Sequence, residues 1–312
     1  MSVSVSSAIA LISENTEKLS VESAPLDECV GRVLAENVLS KTAQPPFPRS
    51  PLDGYAVRSA DIIGASSDTP VKLKVVSKYY AGDHAVKPVA AGEASRIMTG
   101  SMLPEGADCV IRQEDTDYGE DTVEIRRQLG AFENYVYAGE DFNINDTLLS
   151  CGQYLDAAAV AVAAAAGHDA LKVVRRARVT VISTGDELTE PGAPLMPGKI
   201  YDSNLYYIKS RLKELDAVCV GSVVMPDKLD SISAAIERAS YESDLVITTG
   251  GVSVGQKDMI ASALESLNAE VIFQGVKMKP GMPTTYSRLN GAKILSLSGN
   301  PFAAAVAFEV FI

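Results

Sequence analysis

The chain has 312 residues, 46% of them hydrophobic and 22% charged, which is enough apolar material for more than one core. Its formal charge of −12 argues against a nucleic-acid partner, because a binder of the phosphate backbone carries a basic face; an anionic ligand must be held by local positive groups. Cys29, Cys109, Cys151 and Cys219 are scattered without a CxxC spacing, which argues against a zinc site or a disulfide scaffold and suits a reducing cytoplasm, and the only histidines, His84 and His168, exclude His-rich metal sites.

The N-terminus lacks the basic and apolar segments of a signal peptide, and residues 6–19 read as an amphipathic helix. Gln44-Pro45-Pro46-Phe47-Pro48 can be neither helix nor central strand and marks a hinge. From Val71 to about Gln128 the pattern is one of short strands and polar turns, as in 71–76 and 122–125, predicting a small β-rich insert. The apolar run 157–166 is far too short to cross a bilayer; with Asp156 as N-cap and Gly167 as stop it predicts a buried, closely packed helix. From Arg178 onward strands alternate with helices over 204–215, 229–240 and 259–267, the signature of a doubly wound α/β sheet.

Three stretches of that last third share one grammar: a β-branched apolar run, then Ser or Thr, then Gly, then a polar loop. They are Val181-Ile182-Ser183-Thr184-Gly185-Asp186-Glu187, Val246-Ile247-Thr248-Thr249-Gly250-Gly251, and Leu295-Ser296-Leu297-Ser298-Gly299-Asn300-Pro301. Such runs suit buried parallel strands, and glycines past their ends let backbone N–H groups approach an anion, so a phosphate-bearing ligand is predicted. Generic alternatives fail on spacing. The glycines before Lys257-Asp258 do not form a Walker A loop, no GxGxxG follows a strand, and no GxSxG elbow is present.

The chain resembles the molybdopterin molybdenumtransferases of the MoeA type, related to the gephyrin E-domain. The resemblance rests on Pro45-Pro46-Phe47-Pro48 with Leu52-Asp53-Gly54-Tyr55-Ala56-Val57, Arg96-Ile97-Met98-Thr99-Gly100, Gly139-Glu140-Asp141, Ser183-Thr184-Gly185-Asp186-Glu187-Leu188, Asp202-Ser203-Asn204, Thr249-Gly250-Gly251-Val252-Ser253-Val254-Gly255, Lys279-Pro280-Gly281 and Ser298-Gly299-Asn300-Pro301, in this order. It implies an α/β multidomain protein: an elongated helical domain (1–47 and 135–176), a β-rich insert (48–134) and a doubly wound α/β molybdopterin-binding domain (177–312). Members continue into a C-terminal β-domain beyond the position of Ile312, carry Pro where Ser298 stands, and often have a second lysine where Met282 stands.

The implied activity is a step of molybdenum cofactor biosynthesis: insertion of molybdate into adenylylated molybdopterin, with release of AMP and dependence on Mg²⁺. The resemblance also implies a homodimer supplied by a molybdopterin adenylyltransferase. A pyrophosphate ester needs cations and N–H donors along its oxygens, and carboxylates beside phosphate make sense with a divalent metal between them. By resemblance, Asp186, Glu187, Asp227 and Asp258 bind the metal, with Glu187 and Asp258 also catalytic, and Asp53, Thr99 and Asp141 act from the other side of the cleft. Arg96 is the candidate for molybdate, Lys277 and Lys279 for phosphate, and Gly250, Gly251, Ser253, Gly255 and Asn300 line the pterin nucleotide.

Each role has a plainer rival. Asp202, Asp227 and Asp258 all precede helices and could serve as N-caps; Lys277 and Lys279 flank Met278 on a predicted strand and could be solvated on one face; Arg96 could form a surface ion pair; and Asp53-Gly54 could simply make a turn. At the level of function, the rival is a binding or scaffold module that keeps the nucleotide site without turnover.

Overall fold

A computed structural model describes residues 2–85, 87–251 and 259–312. The chain forms two compact units, one of Ser23–Lys172 and one joining Met1–Glu22 to Val173–Ile312. The first element, α1 (Val5–Glu14), is shorter than the 6–19 span predicted. Ser4 caps its start by accepting from the Ser7 N–H, while the Asn15 amide and Thr16 hydroxyl turn back onto the Leu11 and Ile12 carbonyls and close its last turn.

The unit Ser23–Lys172 is built on a five-stranded sheet of β1 (Gly54–Val57), β2 (Val71–Tyr79), β3 (Glu93–Ile97), β4 (Cys109–Arg112) and β5 (Thr122–Ile125). The order is β4-β1-β3-β2-β5, antiparallel except for the parallel β2–β3 pair. Alternation gives the sheet two apolar faces: Tyr55, Val57, Leu73, Ile111, Val123 and Ile125 pack on one, and Ala56, Ile97, Val110 and Leu103 on the other. Burial also pushes the Cys109 thiol up to about 12, so it behaves as an inert core group.

Helix α2 (Ala157–Ala165) has the predicted punctuation, with Asp156 accepting from the Ala159 N–H and Gly167 at φ +87° beyond its end. The prediction of a buried helix is corrected. Ala159 and Ala163 are buried and Val160 and Val162 half-buried, whereas Ala157, Ala158, Ala161, Ala164 and Ala165 are exposed, because a helix that is apolar all round has no amphipathic pattern to mark which stripe is covered. Among the described residues no helix is long and apolar enough to cross a membrane.

The other unit is the doubly wound α/β layer. Its elements are β6 (Arg178–Thr184), α3 (Ser203–Glu214), β7 (Val218–Met225), α4 (Leu229–Glu242), β8 (Leu245–Thr249), α5 (Met259–Ser266), β9 (Glu270–Gln274), β10 (Thr285–Leu289), β11 (Ala292–Leu297) and α6 (Pro301–Phe311). The sheet order is β7-β6-β8-β11-β10-β9, with β7, β6, β8 and β11 parallel and the other pairings antiparallel. Odd-numbered Val179, Val181, Ile247 and Leu295 pack with α1, α3 and α6; even-numbered Ile182, Val246 and Ile294 pack with α4 and α5. A strand buried on both faces reads as a continuous β-branched run, which is why the three strand sequences stood out. From β6 the chain first goes to β7 on one side and then returns to β8 on the other, so the switch point lies at the carboxyl ends of β6 and β8, where open α/β sheets place their ligands.

Candidate active site

At that switch point the strand ends crowd together. A Cβ on Gly250 would lie 2.1 Å from the Thr184 carbonyl oxygen, and one on Gly251 would lie 2.9 Å from Thr184 Oγ1. Both glycines have positive φ, +84° and +62°, so this turn admits no side chain on steric or conformational grounds. The Thr184 hydroxyl is buried there without a hydrogen-bond partner among the described residues. Gly299, after β11, packs against the Gly250 Cα, and the Asn204 amide donates to the Gly299 carbonyl at 3.0 Å.

Two helix N-termini open onto the same edge. Asp202 caps α3 by accepting from the Leu205 N–H at 3.1 Å, and Asn300 caps α6 by accepting from the Ala303 N–H at 3.1 Å. The plainer reading of Asp202 is therefore correct for one carboxylate oxygen; its other oxygen is buried without a partner. Asn300 spends its side-chain oxygen on the cap, which leaves its amide for any ligand. The positive ends of α3 and α6 favour an anion at this edge.

Asp186 and Asp227 meet at the ends of β6 and β7. The Asp227 N–H donates to Asp186 Oδ1 at 3.2 Å, and the Asp186 N–H points to Asp227 Oδ2 at 3.5 Å. Asp227 does not cap α4, whose N-cap is Lys228 without a side-chain bond. Its remaining oxygen, Oδ1, is buried with no partner, while Asp186 and Glu187 are exposed. Two neighbouring carboxylates with an orphan oxygen form a hard donor set that fits a magnesium ion, which typically takes one or two carboxylates and fills the rest of its shell with water and phosphate. Among the described residues no cluster of three or more metal-ligating side chains occurs. Ser253, Gly255 and Asp258 lie outside the described residues.

Lys277 and Lys279 are not on a strand. Strand β9 ends at Gln274, and the Lys277 N–H leaves the sheet to donate to the Val3 carbonyl at 2.7 Å. Both lysines are exposed on the loop between β9 and β10. The register Gln274↔Thr285↔Ser296↔Thr248 puts that loop at the carboxyl edge of the sheet, with the glycine turns. Pattern reading missed Lys199, whose Nζ donates to the Asp186 carbonyl. It lies thirteen residues along a Pro- and Gly-containing loop, where sequence spacing carries no contact information.

The other unit holds its own polar group. The backbone N–H and the hydroxyl of Thr99 both donate to Asp53 Oδ1, each at 2.8 Å. These bonds, together with the Arg96 charge, hold the Asp53 carboxyl below the usual aspartate range. Gly54 is not a turn glycine: it opens β1, where a Cβ would lie 1.9 Å from the Ile111 carbonyl oxygen. Arg96 pairs with Tyr55 across β1 and β3, not in the surface ion pair that was its plainer alternative. Its guanidinium carbon is 5.7 Å from the Tyr55 ring centroid, and Nη1 donates to the phenol at 3.4 Å. Asp141 is exposed, on a turn where its N–H donates to the Gln44 carbonyl.

Two family models cover most of the chain: the MoeA N-terminal region (domain I and II) matches residues 3–167, and the probable molybdopterin binding domain matches 180–312. Molybdopterin molybdenumtransferase 2 of Mycobacterium tuberculosis (strain ATCC 25618 / H37Rv) is 39% identical over 293 residues, covering 92% of this chain and 72% of that protein. Molybdopterin molybdenumtransferase of Staphylococcus epidermidis (strain ATCC 12228 / FDA PCI 1200) is 36% identical over 310 residues, 99% of this chain and 74% of the relative. Among solved structures, the molybdopterin biosynthesis MoeA protein from Pyrococcus horikoshii superposes with a TM-score of 0.88 at 33% identity, over 100% of this chain and 78% of that one. With two family models side by side, these identities and one shared fold along its whole length, the chain belongs to the molybdopterin molybdenumtransferases, a family of transferases.

Proposed function

We propose that the chain inserts molybdate into adenylylated molybdopterin and releases AMP in a Mg²⁺-dependent step of molybdenum cofactor biosynthesis. The observation that carries this reading is the meeting, at one sheet edge, of anion-binding features with the Asp186–Asp227 pair. Phosphate oxygens and carboxylates would repel each other there without a cation.

Asp186 and Asp227 would hold the Mg²⁺, with Glu187 beside them. When bound, the ion supplies charge neutralisation at the departing phosphate. The backbone at Gly250–Gly251, the α3 and α6 N-termini and the Lys277 and Lys279 ammoniums receive the phosphate oxygens. In the other unit, Arg96 is assigned to molybdate, Thr99 keeps Asp53 ionised, and Asp141 keeps the catalytic role drawn from the family. Asn300, Ser253, Gly255 and Asp258 complete the nucleotide and metal roles drawn from the family. The reading extends to a cytoplasmic homodimer that receives its pterin from a molybdopterin adenylyltransferase. The transferase names of the relatives favour turnover over the scaffold alternative.

The direct experiment is to incubate the protein with adenylylated molybdopterin, Mg²⁺ and molybdate. AMP release accompanied by active cofactor is the expected result. Tight nucleotide binding without AMP release would replace this reading with the scaffold one.

A further inference from the structure

The sheet face beneath α5 carries polar groups that neither the site nor the core accounts for. Thr248, Ser296 and Ser287 are each fully buried, and the hydroxyl of each has no hydrogen-bond partner among the described residues. The strand register makes them neighbours. Ile182, Thr248, Ser296, Thr285 and Gln274 form one rung across β6, β8, β11, β10 and β9, and Ser287 opposite Ile294 lies on the next. Their face is the one packed by α4 and α5, since Ile182, Val246 and Ile294 belong to that core. Hydroxyls therefore stand on this face beside Ile182, Val246 and Ile294, where the α4 and α5 core is otherwise hydrocarbon.

The run reaches the surface at one end. Thr285 and Gln274, with Ala261, Leu264 and Glu265 of α5, line an open pocket of about 520 Å³. At its other end Thr248 lies two residues before Gly250, the turn at the switch point. Helix α5 roofs the run and is tied to that turn, since the Ile260 N–H reaches the Gly251 carbonyl at 3.4 Å.

We propose that this face is a built site for ordered internal water: a short file of molecules, entered from the Thr285–Gln274 pocket, that bridges the Ser287, Ser296 and Thr248 hydroxyls beneath the Gly250–Gly251 turn. A buried hydroxyl donates one hydrogen bond and accepts others, and buried polar groups without protein partners are where conserved internal waters sit. Three such groups in one run supply the several partners each water requires. The bland alternative is a set of dry orphan hydroxyls, each of which would weaken the fold. The proposal concerns a face of the α/β unit distinct from the nucleotide site and does not depend on the assigned reaction.

Two measurements test it on the whole protein. Crystals diffracting to about 1.5 Å should show ordered waters within hydrogen-bond distance, roughly 3.2 Å, of at least two of the three hydroxyls. A map with the face dry overturns the proposal. Ser296→Ala and Thr248→Val should each lower the melting temperature by a few degrees, about the shift expected for losing a satisfied buried polar contact. If both variants melt at or above the parent temperature, the hydroxyls are dry orphans and the water file does not exist.

Discussion

Asp186 and Asp227 engage each other through their main chains, the Asp227 N–H donating to Asp186 Oδ1 at 3.2 Å and the Asp186 N–H facing Asp227 Oδ2 at 3.5 Å. The arrangement fixes two carboxylates side by side at the ends of adjacent parallel strands while leaving Asp227 Oδ1 unused. Asp227→Asn keeps an oxygen and similar volume but removes the charge, so the fold should survive and the apparent Mg²⁺ affinity in AMP release should fall by about tenfold or more. A magnesium titration of turnover with circular dichroism as the fold control is the measurement. An unchanged magnesium midpoint would remove the pair from the metal role.

Thr99 sets the charge state of Asp53. Two hydrogen bonds from one residue stabilise the ionised carboxylate, so its folded value lies below the ordinary one. The Asp53 carboxylate therefore keeps its charge to lower pH than an ordinary aspartate. Thr99→Val removes the hydroxyl donor and should move the Asp53 titration upward, seen by carbon NMR of the carboxyl. If Asp53 takes part in turnover, the acid limb of the pH–rate profile moves upward with it. A titration that stays in place would show that the hydroxyl does not stabilise the charge.

The glycine turn should be sensitive for two separable reasons. Gly250→Ala meets both the left-handed φ and a 2.1 Å approach to the Thr184 carbonyl, whereas Gly291→Ala, also at positive φ, meets nothing within 4 Å. Gly291→Ala should cost about 1–2 kcal/mol from backbone conformation alone, and Gly250→Ala should cost roughly 2–4 kcal/mol because contact strain adds to it. Urea denaturation of both variants is decisive. Equal losses would mean the Thr184 contact is easily relieved.

Lys279 offers a charge in a chain whose net charge repels anions. Lys279→Ala should weaken binding of the adenylylated pterin by about tenfold or more, the scale of a charged hydrogen bond, and Lys277→Ala should show whether its neighbour shares the task. Isothermal titration at two salt concentrations measures both. Parental affinity in the Lys279 variant would assign the lysine to solvent.

Away from the site, Arg175 grips Asp244 through two bonds of 2.6 Å each, and the Arg178 N–H adds a third at 2.8 Å. These donors hold the Asp244 carboxyl below its usual range, the Arg175 bonds contributing most. A depressed carboxylate contributes stability that is present above its unfolded pKa and disappears as pH falls through the folded one. Asp244→Asn should destabilise the α/β unit by about 2 kcal/mol at neutral pH, and this difference should shrink at acid pH below the usual aspartate value. A stability gap between parent and variant that is flat with pH would show that the ion pair does not drive it.

The sequence by itself determined the alternation of strands and helices after Arg178, because strands buried on both faces must be apolar along their length, and the two Asp caps, because helix N-termini need acceptors at fixed spacing. It marked the glycine turns as well, since Gly250 and Gly251 are required by local geometry. Only the tertiary structure decided what touches what. It turned Asp227 from a possible cap into the partner of Asp186, gave Arg96 to Tyr55, made Gly54 a close-approach glycine and moved Lys277 and Lys279 from a strand to a loop at the site's edge. It also exposed most of an alanine helix that composition alone would have buried. Local signals read neighbours along the chain, whereas these contacts join residues from separate elements, and no periodicity encodes which strand end will meet which.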